Sequence, residues 1–231
     1  MPNREVMEAA AELRRKTRSR AERAYRKHRA QVHDLIRQLA GPTQEEHDRA
    51  FDLLSSMGEF VASDLLEALA DPTLDPIAAD EVVSLLGVTG DEQAREPIWE
   101  FLQANLDDPE RLYTAALSLA GLGDGRALPC LREGLDSDDE EVVANSVAAM
   151  IMLGQPEDVP RLRQTHRRHR ANREIRLGIA NAVLTVLGQT DERTFNRTMD
   201  EIHTSFADRD LWEDIWGILE SEFGDKRHLV H

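Results

Sequence analysis

Residues 112–162 read LYTAALSLAGLGDGRALPCLREGLDSDDEEVVANSVAAMIMLGQPEDVPRL, and they say nearly the same thing twice. An Ala-rich apolar helix closes at Leu122-Gly123, and a short polar loop follows. Pro129 then opens a second, Leu-bearing helix. An acidic turn at residues 136–141 leads into the next copy, which closes at Leu153-Gly154 and reopens at Pro160. Each half alone is too short to bury its apolar face, so the pattern implies helices stacked copy upon copy.

Working outward, the closing Gly recurs at Gly58, Gly87, Gly123, Gly154 and Gly188, with spacings of 29, 36, 31 and 34 residues. One residue earlier stand Met57, Leu86, Leu122, Leu153 and Leu187. Four earlier stand Leu54, Val83, Leu119, Met150 and Leu184. Eight earlier stand Ala50, Ala79, Ala115, Ser146 and Ala180. These columns lie at i, i+4 and i+7, one face of a helix. The small column lets neighbouring backbones approach, and the Gly suits a left-handed C-cap. Pro97, Pro129 and Pro160 recur where each second helix begins, a position at which Pro loses no hydrogen bond. Val88-Thr89-Gly90 reads as an insertion that explains the long second spacing.

On these residues, best seen in ALSLAGLGDGRALPCLREGLDSDDEEVVANSVAAMIMLG and IRLGIANAVLTVLGQ, the chain resembles the HEAT repeats, in the short form first noted in phycobilisome lyase subunits. The resemblance implies an all-α fold, an α-solenoid of about five helix pairs. Tetratricopeptide units are the rival, but their strict 34-residue period and Trp/Tyr signature are absent. The matching residues pack and cap, so the resemblance speaks to fold and not to chemistry.

The organisation expected is a basic N-terminal helix over residues 1–41, repeats over 42–204 and an amphipathic capping helix with a tail over 205–231. Residues 4–39 read as one continuous helix, whose apolar residues Val32, Leu35, Ile36 and Leu39 dock while its first half projects. Residues 1–22 are therefore expected to be dispensable for folding. In the last helix Leu211, Ile215 and Leu219 with Trp212, Trp216 and Phe223 make one apolar face, and Gly224 can stop it. Trp99 falls in the column of Leu131 and Leu162 when the repeats are aligned on Pro.

The net charge of −16 is unevenly spread. Residues 14–30 hold nine Lys/Arg against one acid, and residues 161–176 hold seven Arg against one acid, leaving −30 on the remainder. The first run makes Arg14, Arg15, Lys16, Arg18 and Arg20 a candidate basic arm. The second replaces core positions by His166 and His169 among Arg161, Arg163, Arg167, Arg170 and Arg173. Arg forks fit carboxylates and phosphates, and His adds charge at lower pH, so this run is a candidate partner- or anion-binding site. A metal site at His166 and His169 lacks a third ligand. Cys130 has no activating His or Lys beside it and reads as structural. The single Cys fits a reducing compartment, and no apolar run reaches membrane-spanning length. The expectation is a cytoplasmic, non-catalytic protein-binding scaffold with no cofactor, no membrane contact and an acidic segment as its partner. Nucleic-acid binding is the weaker alternative, because the acidic remainder repels phosphate and only 5% of residues are aromatic. A bilin lyase or chaperone role rests on the family resemblance alone.

Overall fold

The computed structural model describes the backbone of residues 4–223 and the side chains of residues 11–221. Among these residues there is no strand. The helices are α1 (Arg4–His28), α2 (Val32–Gln38), α3 (Gln44–Ser56), α4 (Ala62–Leu69), α5 (Pro76–Thr89), α6 (Arg95–Ala104), α7 (Pro109–Gly121), α8 (Leu128–Gly134), α9 (Glu140–Leu153), α10 (Val159–Arg168), α11 (Arg173–Leu187), α12 (Glu192–Thr204) and α13 (Arg209–Phe223). They fall into two compact units, residues 1–124 and 125–231.

Asp or Asn starts most of the first helices. Asp75, Asp108, Asp139 and Asn172 each accept a backbone amide hydrogen bond from the first turn of α5, α7, α9 and α11. Thr43 does the same for α3, taking the amide of Glu46. Such caps satisfy amides that the helix leaves without a partner and are worth about 1 kcal/mol each. Short 3-10 turns at Gly58–Val61, Glu92–Ala94, Gly125–Ala127 and Pro156–Asp158 then lead into the second helices.

Within the first unit α3 packs on α5 and α5 on α7, while α4 and α6 fill the spaces beside them. Within the second unit α9 packs on α11 and α11 on α13, flanked by α8, α10 and α12. The three sequence columns form these seams. Ala50, Leu54, Met57, Val83, Leu86, Ala115, Leu119, Leu122, Ser146, Met150, Ala180 and Leu187 are buried, and Ala79, Leu153 and Leu184 are half-buried. Each large apolar member contributes about 1.5–3 kcal/mol of burial.

The Gly column does not have one meaning. Gly58 and Gly123 hold φ of 52° and 71°, the left-handed cap expected of all five. Gly87 lies inside α5, and the insertion moves the left-handed cap to Gly90, with φ 74°. Gly87 is instead required by contact, since a Cβ there would stand 2.6 Å from the Cα of Ser118 on α7. Gly154 and Gly188 have ordinary negative φ.

The Pro alignment also slips once. Pro129 and Pro160 are second residues of α8 and α10, whereas Pro97 is the third residue of α6. The core positions of α6 are therefore Ile98 and Leu102, both buried, and Trp99 is half-buried.

The N-terminal segment differs from one continuous helix. α1 stops at His28, a single 3-10 turn covers Arg29–Gln31, and α2 starts at Val32. Val32, Leu35, Ile36 and Leu39 are buried as their spacing requires. α1 is not free along its length either, because Ala21 is buried and Tyr25 stacks on Phe60 with ring centroids 6.5 Å apart. In α13, Leu211 and Ile215 are fully buried, while Trp212, Trp216 and Leu219 are half-buried. The Phe223 side chain and Gly224 lie outside the described residues.

Candidate functional site

The Arg/His run of α10 belongs to a polar cluster built from α10, α11 and the start of α13. Its centre is Asp208, which has no exposed surface. Arg163 donates to Asp208 Oδ2 from Nε at 3.0 Å and Nη2 at 2.6 Å. Arg167 donates from Nε to Oδ1 at 2.7 Å and from Nη2 to Oδ2 at 3.0 Å. Burial pulls the Asp208 carboxyl up, but the hydrogen bonds of Arg167 and Arg163 outweigh it and hold it below the usual carboxylate range.

A second buried acid, Asp214, lies one helical turn and a half further along α13. Arg176 grips it with Nε at 2.9 Å and Nη2 at 2.6 Å. His166 Nε2 lies 2.8 Å from Asp214 Oδ2. Burial lowers the His166 pKa below the ordinary imidazole value, and the Asp214 hydrogen bond opposes that only in part. The neutral ring therefore donates its Nε2–H to a carboxylate that Arg176 keeps ionised.

The outer members of the run are also engaged. Arg161 donates to the Arg132 carbonyl at 2.6 Å, Arg168 to the Leu135 carbonyl and Asp136, and Arg170 to the Ala207 carbonyl at 3.0 Å. Arg173 is exposed at the start of α11, and His169 is half-buried. The candidate anion-binding forks thus point at aspartates of the same chain. His166 is a core residue, as its alignment with Leu135 implies, and not a solvent-facing proton acceptor. Among the described residues no group of three or more His, Cys, Asp or Glu is placed to hold a metal ion.

The same device appears in smaller form between α8 and the turn before α10. There Arg132 Nε donates at 2.7 Å to Asp158, which is itself buried. Asp158 and Asp208 are each the last residue of a 3-10 turn, at Pro156–Asp158 and Phe206–Asp208. Polar bridges also join successive first helices near their starts: His47 to Glu81, Arg111 to Asp80, Asn172 to Glu140 and Arg176 to Asp214. The α10 cluster is an enlarged member of this series of fastenings.

Sequence reasoning did not match Asp208 and Asp214 to the Arg/His run as its partners. The available signal was Asp214 itself, which sits between Leu211 and Ile215 on the apolar face of α13. An acid there must meet a cation.

The basic arm is different. Arg14, Arg15, Lys16, Arg18 and Arg20 are all exposed on α1. Arg18 reaches Glu59 at 2.9 Å and lies over the Phe60 ring, 5.8 Å from its centroid. Lys16 meets Glu12 at 2.7 Å, a solvent-exposed pair of little energetic weight. Cys130 is half-buried on α8, and burial with Glu133 nearby pushes its thiol up to about 11, far from a reactive thiolate.

A family model of HEAT repeats matches residues 62–152 and 100–185, so the two matches together run over more than half of the chain. The chain belongs to the HEAT-repeat family. Its fold class is the α-solenoid, with the helix-pair repeats read from the columns. Among solved structures, this HEAT-repeat protein is similar to a designed armadillo repeat protein at 16% identity, over 79% of this chain and 98% of that one, with a TM-score of 0.43. No curated protein matches it significantly in sequence. Among the described residues of this HEAT-repeat protein, no helix is long and apolar enough to cross a membrane.

Proposed function

We propose that this HEAT-repeat protein is a non-catalytic binding scaffold that holds another protein through an acidic segment of that partner. HEAT-type repeats typically serve as protein-interaction surfaces, and the packing residues of this chain carry no further chemistry. The observation that supports the acidic partner is the exposed cationic surface of α1, around Arg14, Arg15, Lys16 and Arg20, on a chain of net charge −16. The Arg161–Arg173 run enters this reading as the fastening that secures α13, not as the docking site. The lone half-buried thiol supports a reducing, cytoplasmic setting.

The test places a photo-crosslinking residue at Arg15, Ile77 or Phe206 of the full chain in its native host, one position at a time. Expected is one protein recovered reproducibly from Arg15, whose reconstituted complex weakens as salt rises. Recovery of nucleic acid, or of no protein from any of the three positions, would overturn the reading.

A further inference from the structure

The first unit settles which side of α1 is spent and which is open. Ala21 is buried against the turn Gly58–Val61, the Tyr25 hydroxyl donates to Asp64 at 3.0 Å, and Arg18 covers Phe60. At about 100° per residue these three lie on one side of the helix. Leu13, Lys16, Arg20, Arg23 and Lys27 follow one another at steps of three, four, three and four residues. That step pattern traces a single line along the helix, turned roughly 80–160° away from Ala21. All five are exposed, Leu13 at 66%. The line is about 21 Å long at 1.5 Å per residue.

Its cations are available. Lys16 has only its exposed contact with Glu12, and Arg23 Nε donates to the Ser19 carbonyl at 3.1 Å within its own helix. Arg20 and Lys27 have no carboxylate partner among the described residues. Four cations in line repel one another, and that repulsion is relieved when carboxylates are brought opposite them.

We propose that this line is the seat of an acidic amphipathic helix of a partner protein, presenting carboxylates at the same three-four steps and an apolar residue against Leu13. The proposal rests on the scaffold reading and deepens it. A three-four step is the seam along which two helices share contacts over several turns. Charge complementarity names the carboxylates, and the exposed Leu13 at the head of the line calls for a side chain instead of a phosphate. A nucleic-acid duplex laid on α1 would also extend over the acidic body of the first unit, where Glu59 and Asp64 border the helix.

The probe is a labelled helical peptide of about 15 residues, which matches the line at 1.5 Å per residue, with Glu at three-four steps and Leu at one end. It is titrated by anisotropy against the full chain. A peptide of identical composition with its Glu moved off the line, and a DNA duplex of equal length, are run beside it. The expected result is binding of the in-line peptide that weakens with salt and falls at least ten-fold in Lys16→Glu/Arg20→Glu/Lys27→Glu. Leu13→Ser should weaken it several-fold, with an unchanged circular dichroism spectrum. Should the reversal disturb α1, the neutral Lys16→Gln/Arg20→Gln/Lys27→Gln set gives the same reading with a smaller loss. Equal binding of the two peptides, tighter binding of DNA, or no response to either variant set would overturn the proposal. If the peptide fails while crosslinking recovers a protein partner from Ile77 or Phe206, the scaffold reading stands and this one falls. Crosslinking that recovers nothing removes the scaffold reading itself.

Discussion

The two basic runs are nearly interchangeable as composition and opposite as structure. The cations of residues 14–20 stand exposed on α1, with, among the described residues, only surface contacts of Lys16 to Glu12 and of Arg18 to Glu59 and Phe60. Those of α10 are drawn onto Asp208, a carboxylate with no exposed surface, and His166 is drawn onto Asp214. What separates them is the neighbour supplied by a distant helix. α1 lies on a turn that offers Glu59 and an aromatic ring, whereas α10 lies beneath a helix start carrying two buried acids. Positive charge in a sequence therefore marks a place that needs an anion, and tertiary structure decides whether the chain itself provides it.

The contrast is most exposed to test at Asp208. Asp208→Ala leaves two guanidiniums partly buried without their carboxylate, and removing one side of such a pair costs about 3–5 kcal/mol. Urea unfolding should show that loss, and hydrogen exchange should show it concentrated in α13 and α10. Arg163→Glu/Arg167→Glu should be comparably damaging, since it sets three carboxylates together. If both variants melt like the parent protein, the cluster is not a fastening and the comparison collapses.

Next in size, Asp214→Asn removes the charge-assisted bonds of Arg176 and His166 and should cost about 2 kcal/mol. The same pair sets a pH dependence. The folded His166 pKa lies below the unfolded value of 6.5, so the unfolded chain takes up the proton first. Stability should hold above that value and fall as the pH drops below it. Further loss should come as Asp208 and Asp214, both held below the usual carboxylate range, are finally protonated. Melting curves of the parent and His166→Gln from about pH 8, above the imidazole range, down to about pH 2, through the carboxylate range, separate the two contributions: the variant should lose the first slope and keep the second.

On α1 the effects should be small. Arg14→Glu/Arg15→Glu/Arg20→Glu should shift unfolding by no more than about 0.5 kcal/mol, as surface changes do. Deleting residues 1–15 should be similarly mild. Deletion through residue 22 also removes Arg18 from Phe60 and Ala21 from its buried seat, so it should cost more, about 1–2 kcal/mol. Equal melting temperatures for the two truncations would show that the Ala21 contact contributes nothing.

The fold was largely legible because its signal is local and repeated. Leu54, Leu119 and Met150 occupy the same position in three helices, and each is fully buried. Where the reading slipped, a one-residue shift was enough: Pro97 sits one place deeper in its helix than Pro129, which moved Trp99 out of the core column. Gly87 was legible as Gly but not as a contact, since only the approach of Ser118 explains it. The site was half legible. His166 stood out because it replaces a Leu, yet its partner lies 48 residues away, among 44 acidic side chains that the sequence alone does not rank.

The reach from α10 to α13 has a consequence during synthesis. The cations at Arg163, Arg167 and Arg176 are synthesised before residues 208–214 exist to neutralise them. A chain interrupted in between would end in a cluster of unspent guanidiniums, open to any acidic surface nearby. The arrival of two aspartates turns that adhesive stretch into a closed one, so α13 acts as a seal on α10 written in charge.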